Sequence, residues 1–297
     1  MSSQITTAFV QQYSANLQHL SQQKGSRLRG AVRVEAVRGK QAFFDQIGSQ
    51  SASVRTTRAA DTLLNDTPHA RRMVTLADYE VADLIDDQDK LRMIVDPTSS
   101  YAQAQAFAIG RSMDDVIITA ATGDAKTGET GGTTTSLPST QKVLVTDRAT
   151  GSGSTGLNIE KLRKAKFILD NNSVDPSIPR VIVVGPKQIQ DLLAFTEVTS
   201  SDFSTVKALA QGQLDSFLGF QFIVSTRLAL DSSSDVRTCF AYAVDGLTLA
   251  VAKDLTVRID ERPDKGYATQ VYACMSIGST RMEEEKVVEI PCDESPA

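Results

Sequence analysis

The sequence contains no tryptophan, only two histidines (His19 and His69), three cysteines and 6% aromatic residues. Scarcity of histidine removes the commonest general base and the commonest metal ligand. Cys239, Cys274 and Cys292 are an odd number, which does not build a disulfide framework. Reduced thiols of a chain made in a cytoplasm are the simpler reading. No apolar run approaches the ~18 residues that span a bilayer. The opening MSSQITTAFVQQYS lacks a basic segment followed by an apolar core, so no secretory signal is read and no membrane partner is expected. A basic excess is also missing. Thirty-one Lys and Arg stand against 36 Asp and Glu, for a net charge of −5, which argues against a dedicated nucleic-acid binder. What is present, 41% hydrophobic and 23% charged residues over 297 positions, is ordinary for a globular protein of about two domains or one elaborated domain.

Along the chain, Phe9, Val10, Tyr13, Leu17 and Leu20 recur at steps of three and four within a Gln- and Ser-rich start, the pattern of a short amphipathic helix. From Gly25 to Asp61 seven basic residues (Arg27, Arg29, Arg33, Arg38, Lys40, Arg55 and Arg58) face three acidic ones. Alternation from Leu28 to Glu35 predicts a strand, and an extended stretch near Ser51 to Thr57 is expected to return antiparallel to it. Such a basic β-excursion has no core of its own and must lean on another surface. Arg72 to Val81 reads as extended. Asp83, Asp86, Asp87 and Asp89 follow as an acidic turn that lacks the glycine and terminal glutamate of a calcium loop. Asp96-Pro97 starts a helix whose stripe is Ala102, Ala106, Ile109, Met113, Val116 and Ala120, with Gly123 as its stop. At 1.5 Å per residue this rod is roughly 39 Å long. Lys142–Val145 reads as a strand, Asn158 as a helix cap, Arg180–Val184 as a buried strand and Pro186 as the start of a helix. Phe217–Val224 reads as a turn into a strand. Leu255, Val257 and Ile259, the turn Pro263–Gly266, and Val271, Ala273 and Met275 describe a closing antiparallel pair. Helix and strand mix without βαβ repetition, so the fold class is α+β.

No motif supports catalysis. Gly151–Gly156 matches GxGxxG, but five residues separate it from the preceding apolar run, whereas a dinucleotide site needs the glycine directly after a buried strand. Gly123–Gly128 lacks the Lys of a phosphate loop. No GxSxG elbow occurs, the cysteines have no CxxC partner, and His69 lies in a turn beside Arg71 and Arg72. No catalytic residue, cofactor-binding residue, metal ligand or cofactor is assigned.

The order of elements carries more than any motif. A polar arm, a basic β-excursion, a strand, an acidic turn, a long helix, a compact αβ region and a closing antiparallel sheet follow one another. This resembles the major capsid proteins of tailed bacteriophages with the Hong Kong 97-type fold. Met113–Ile118 leading to Gly123-Asp124 is similar to the end of that family's spine helix. Ile178–Lys187 is similar to its inner strand and following helix, and Phe217–Ser225 to its turn-then-strand segment. The resemblance implies an N-terminal arm at 1–26, an extended loop at 27–60 and a peripheral domain with the spine helix at 61–149. It implies an axial domain at 150–255 and a return to the peripheral sheet at 256–297. It implies hexamers and pentamers of the chain forming an icosahedral head around double-stranded DNA, without sequence-specific binding. A portal and, because the arm is short, a separate scaffolding protein are the implied partners, and the implied location is the virion after synthesis in the host cytoplasm. Arg29, Arg33 and Arg38 meeting Asp83, Asp86, Asp87 and Asp89 of a neighbour are the candidate inter-subunit contacts. An encapsulin-like compartment and, from another class, a nucleotide-binding enzyme using Gly151–Gly156 are the alternatives.

Overall fold

A computed structural model describes residues 21–58, 61, 64–86, 98–148, 153–194 and 216–295. In chain order the elements are β1 (Arg33–Ala36), β2 (Gln41–Ile47), β3 (His69–Thr75), β4 (Ala77–Ile85), α1 (Thr98–Thr122), β5 (Ala125–Thr127) and β6 (Thr133–Thr135). There follow α2 (Ile159–Asn171), β7 (Arg180–Val184), α3 (Pro186–Leu193), β8 (Ser216–Phe217), β9 (Phe220–Val224), β10 (Leu230–Asp231) and β11 (Val236–Ala243). The chain closes with β12 (Leu247–Arg262), β13 (Ala268–Arg281) and β14 (Val287–Asp293). Two compact units result. One holds the described parts of Met1–Ser26, Asp78–Ser112 and Lys253–Ser276; the other holds Arg27–Ala77, Met113–Ala252 and Ile277–Ala297.

In the larger unit β11 is the central strand of a six-stranded sheet. It pairs antiparallel with β7 on one side and with β14 on the other, and β7 pairs parallel with β9. All five residues of β7 are buried, as a β-branched run flanked by strands on both sides requires. Asn158 caps α2 by accepting the Lys161 N–H at 2.8 Å, and α2 buries Leu162, Ala165 and Leu169. Pro186 occupies the first turn of α3, as read from the sequence. Leu218 and Gly219, both at positive φ, join β8 to β9 in a two-residue turn.

A second sheet of this unit runs β2-β3-β5-β6, antiparallel throughout. Its root is a buried arginine pair. Arg281 is fully buried and donates to the carbonyls of Ala121 (3.1 Å), Gly123 (2.7 Å) and Thr135 (3.2 Å), which ties the end of α1 to β6. Arg72 donates to Met282 O at 2.8 Å and to Glu284 Oε2 at 2.5 Å. Helix C-termini leave carbonyls without partners, and a buried guanidinium with five donors satisfies them. β1 pairs parallel with the first residues of β12, from Arg33↔Thr248 to Ala36↔Val251.

In the smaller unit, the outer parts of β12 and β13 form the hairpin read from the sequence, with Gly266 at φ 64° closing it. β4 lies beside β13. Gln105 of α1 donates to Val271 O at 3.1 Å, and Val271, Ala273 and Met275 are buried.

Several expectations need correction. Ser51–Thr57, expected to return against the Leu28–Glu35 strand, is irregular; that strand, β1, pairs with β12 instead, and the antiparallel partnership is made by β2 with β3. Ser51–Thr57 has no apolar face to bury, whereas β3 offers Met73 opposite Phe43 and Arg71 opposite Asp45. Leu28 and Val32 are buried in the body, so 27–36 is anchored rather than part of a free excursion. Asp83 sits within β4 rather than in a turn, and His69 opens β3 opposite Ile47. Lys142–Val145 forms a single bridge to Glu289 in place of a strand. The buried row of α1 is Gln105, Ile109, Met113, Ile117 and Ala121, a strict i+4 ridge; the predicted Ala106, Val116 and Ala120 are half-buried beside it. The expected N-terminal helix and the Asp96-Pro97 cap lie outside the described residues.

Candidate assembly surfaces

Residues 22–28 run as a strap along α1. Within the smaller unit Arg111 donates to Gln22 Oε1 (2.9 Å) and Gln23 O (3.2 Å). Gly110 makes room for the strap: a Cβ there would lie 2.6 Å from the Gly25 backbone and 2.8 Å from Ser26 N. Within the larger unit the buried Asp114 carboxylate accepts the backbone N–H of Arg27 (3.1 Å) and of Leu28 (3.1 Å), and Arg27 Nη1 donates to Val224 O at 2.5 Å. A buried carboxylate is satisfied only by such donors.

The excursion between β2 and β3 is closed at its base and open beyond. Gly48 N–H donates to Pro68 O at 2.8 Å, and Asn65 Nδ2 donates to Ser51 O at 2.8 Å. Residues 48–58 are all exposed; Val54 is 85% and Leu64 91% exposed. Each such side chain would release ~1.5–3 kcal/mol on full burial, so the loop presents apolar groups that its own body does not cover. Arg55 and Arg58 follow Val54.

The smaller unit shows a second surface of this kind. On β12, Leu255, Val257 and Ile259 share one face and are exposed, and Leu84 of β4 is exposed as well. Tyr272 donates its hydroxyl to Glu80 Oε2 at 3.0 Å beside them, an interaction that pushes the phenol up to about 12.

The residues singled out from the sequence fall as follows. Arg29 lies in a short 3-10 turn, Arg29–Ala31. Arg33 in β1 pairs with Glu35 of its own strand at 2.6 Å, and Arg38 is exposed. Asp83 accepts the neighbouring Leu84 N–H at 2.9 Å, and Asp86 is exposed just after β4. Asp87 and Asp89 lie outside the described residues. The strap contacts were invisible to sequence reading because backbone amides leave no residue signature; only Gly110, a glycine in the middle of a strong helix pattern, marked the place.

The described end of the glycine-rich stretch, 153–156, is held by its own chain. The N-terminus of α2 is capped by Asn158, and the fully buried Lys161 ammonium donates to Thr155 O (2.7 Å) and Pro291 O (2.8 Å), its pKa lowered by burial. A Cβ at Gly156 would lie 2.3 Å from the Asp191 carboxylate, so this glycine serves packing. Among the described residues no three His, Cys, Asp or Glu gather to hold a metal, and no helix is long and apolar enough to cross a membrane.

The excursion and the β12 face thus leave apolar side chains exposed. The comparisons name the class. A sequence profile of the phage capsid protein family matches residues 5–294. The capsid protein of cyanophage P-SCSP1u superposes with a TM-score of 0.75 at 16% identity, over 98% of this chain and 94% of that one. The capsid protein of Ralstonia phage GP4 gives 0.74 at 12% identity, over 97% of both chains, and the head of Helicobacter pylori bacteriophage KHP40 gives 0.73 at 12%, over 96% of both. Among curated proteins nothing matches. The chain belongs to the phage capsid protein family, with the α+β Hong Kong 97-type fold, and it is a major capsid protein that associates with copies of itself to form the shell of a phage head.

Proposed function

We propose that the subunit assembles as hexamers and pentamers into the icosahedral head of a tailed phage, enclosing double-stranded DNA. A separate scaffolding protein and a portal are its partners, and the chain is made in the host cytoplasm. Its work is structural, without catalysis. Residues 1–26 act as the arm and 27–60 as the extended loop, rooted at its start by the buried Leu28 and Val32; 61–149 with 256–297 form the peripheral domain and 150–255 the axial domain.

The observation that supports this reading most is the excursion at 48–68, sealed at its base and bearing uncovered Val54 and Leu64. Standard interfaces bury ~1,600 Å² in total. A loop and a sheet face that stay wet in one molecule provide such area only against another. Arg29, Arg33 and Arg38 pair with Asp83, Asp86, Asp87 and Asp89 of the neighbour; each exposed pair contributes only ~0–1 kcal/mol, but the contact repeats around a closed shell. A net charge of −5 suits a container that does not grip phosphates.

Electron microscopy of the purified protein, with and without the phage's scaffold, tests this. Capsomers or closed shells are expected; a strict monomer at all concentrations with scaffold present refutes it. Charge reversal at Arg29 and Arg33 together lowers shell yield while the circular dichroism spectrum of the subunit stays unchanged. An unaltered yield removes the arginines from the contact.

A further inference from the structure

Cys274 of β13 lies under the ammonium of Lys253 on β12, Nζ to Sγ 2.9 Å. The other two cysteines differ. Cys239 and Cys292 are wholly buried, and Cys239 is pushed well above an ordinary thiol by its hydrogen bond with Cys292 and by burial. Cys274 retains 8% exposure on the less buried face of its strand, alongside Tyr272, and Lys253 is exposed. A thiol and a primary amine are thus held in contact on neighbouring strands, the amine on an exposed residue and the thiol just beneath it.

We propose that Lys253 and Cys274 are a modification site, joined by peroxide into a sulfenamide cross-link between β12 and β13. The steps balance as follows. The Cys274 thiol attacks hydrogen peroxide; the O–O bond breaks, sulfur loses two electrons, and sulfenic acid and water form. The Lys253 ammonium gives one proton to solvent. Its nitrogen lone pair then attacks sulfur, the S–O bond breaks, and the departing hydroxide takes a second nitrogen proton to leave as water. One thiol, one amine and one peroxide become one S–N bond and two waters. Holding the amine against the sulfur raises its effective concentration far above that of any thiol or amine in solution. Sulfenic acid is therefore captured by Lys253 before further oxidation. In the cell the reducing pool keeps the pair open; a released particle meets oxidant, and the link closes. That timing rests on the capsid reading, whereas the chemistry does not.

Peptide mass mapping of purified protein treated with millimolar hydrogen peroxide tests the site, independently of assembly. A cross-linked peptide joining the Lys253 and Cys274 segments, lighter by two hydrogens than its separate parts, is expected. Dithiothreitol reverses it, and it is absent from Lys253→Arg and Cys274→Ser proteins whose circular dichroism matches the parent. Recovery of Cys274 untouched, or only as unlinked sulfinic or sulfonic acid in the parent protein, overturns the proposal.

Discussion

Replacing Gly110 by alanine separates two accounts of α1 by the sign of the effect. In an open helix, alanine is better than glycine by ~1 kcal/mol, so a bare rod gains stability. Here the added methyl would stand 2.6 Å from the Gly25 carbonyl carbon and Cα, with backbone on both sides and no side chain to swing away. Overpacking of this kind costs about 1–3 kcal/mol. The cheapest relief is for the strap to lift at Gly25, releasing the Arg111 bonds to Gln22 and Gln23. At about 1.4 kcal/mol per decade, the lifted population rises roughly 5- to 140-fold. Lys24, exposed on the strap, is the natural reporter. Trypsin cleavage after Lys24 tracks that population when opening is fast relative to cutting. Accelerated cleavage by this factor is expected, without the gain of ~1 kcal/mol in urea unfolding. An unchanged cleavage rate together with that gain refutes the strap as described.

Arg281→Met leaves the carbonyls of Ala121, Gly123 and Thr135 buried without their donor; a loss of about 3–5 kcal/mol in urea unfolding is expected, and Arg281→Lys does not restore it because one ammonium lacks the fork. Glu294 is held below the ordinary glutamate value of 4.5, chiefly by its hydrogen bonds from Arg237 (2.5 and 2.9 Å). A depressed carboxyl contributes stability that is present above the unfolded value and lost as pH falls through the folded one. Arg237→Gln should therefore flatten the fall in stability below about pH 4.5, as a pH series of urea midpoints reads. Leu218 sits at φ 53° in the two-residue turn before Gly219, where asparagine is favoured; Leu218→Asn should raise stability by about 1 kcal/mol in the same assay.

Elements written by local chemistry were legible in the sequence. The Asn158 cap, the β-branched run Arg180–Val184 followed by Pro186, the Leu218-Gly219 turn and the Pro263–Gly266 turn all appear where their residues require. What failed was pairing at a distance. β2 finds β3 across a loop of about twenty residues, and the deciding contacts, Phe43 with Met73 and Asp45 with Arg71, are matched only in the folded sheet. β14 joins β11 in the six-stranded sheet, and β1 runs parallel to β12; neither partnership leaves a mark on its own segment. The exposed excursion was readable as a charge imbalance between 25 and 61, but not the anchor of the strap, because Asp114 acts on backbone amides.

The sealed base of the excursion, Gly48 against Pro68, has a further consequence. A Cβ at Gly48 would strike the Pro68 ring at 2.7 Å, so the two ends are held together whatever lies between them. Once ends are pinned, each doubling of the intervening chain costs only ~0.6 kcal/mol. The span between them is therefore free to lengthen or shorten over generations, while the sheet that carries it remains untouched.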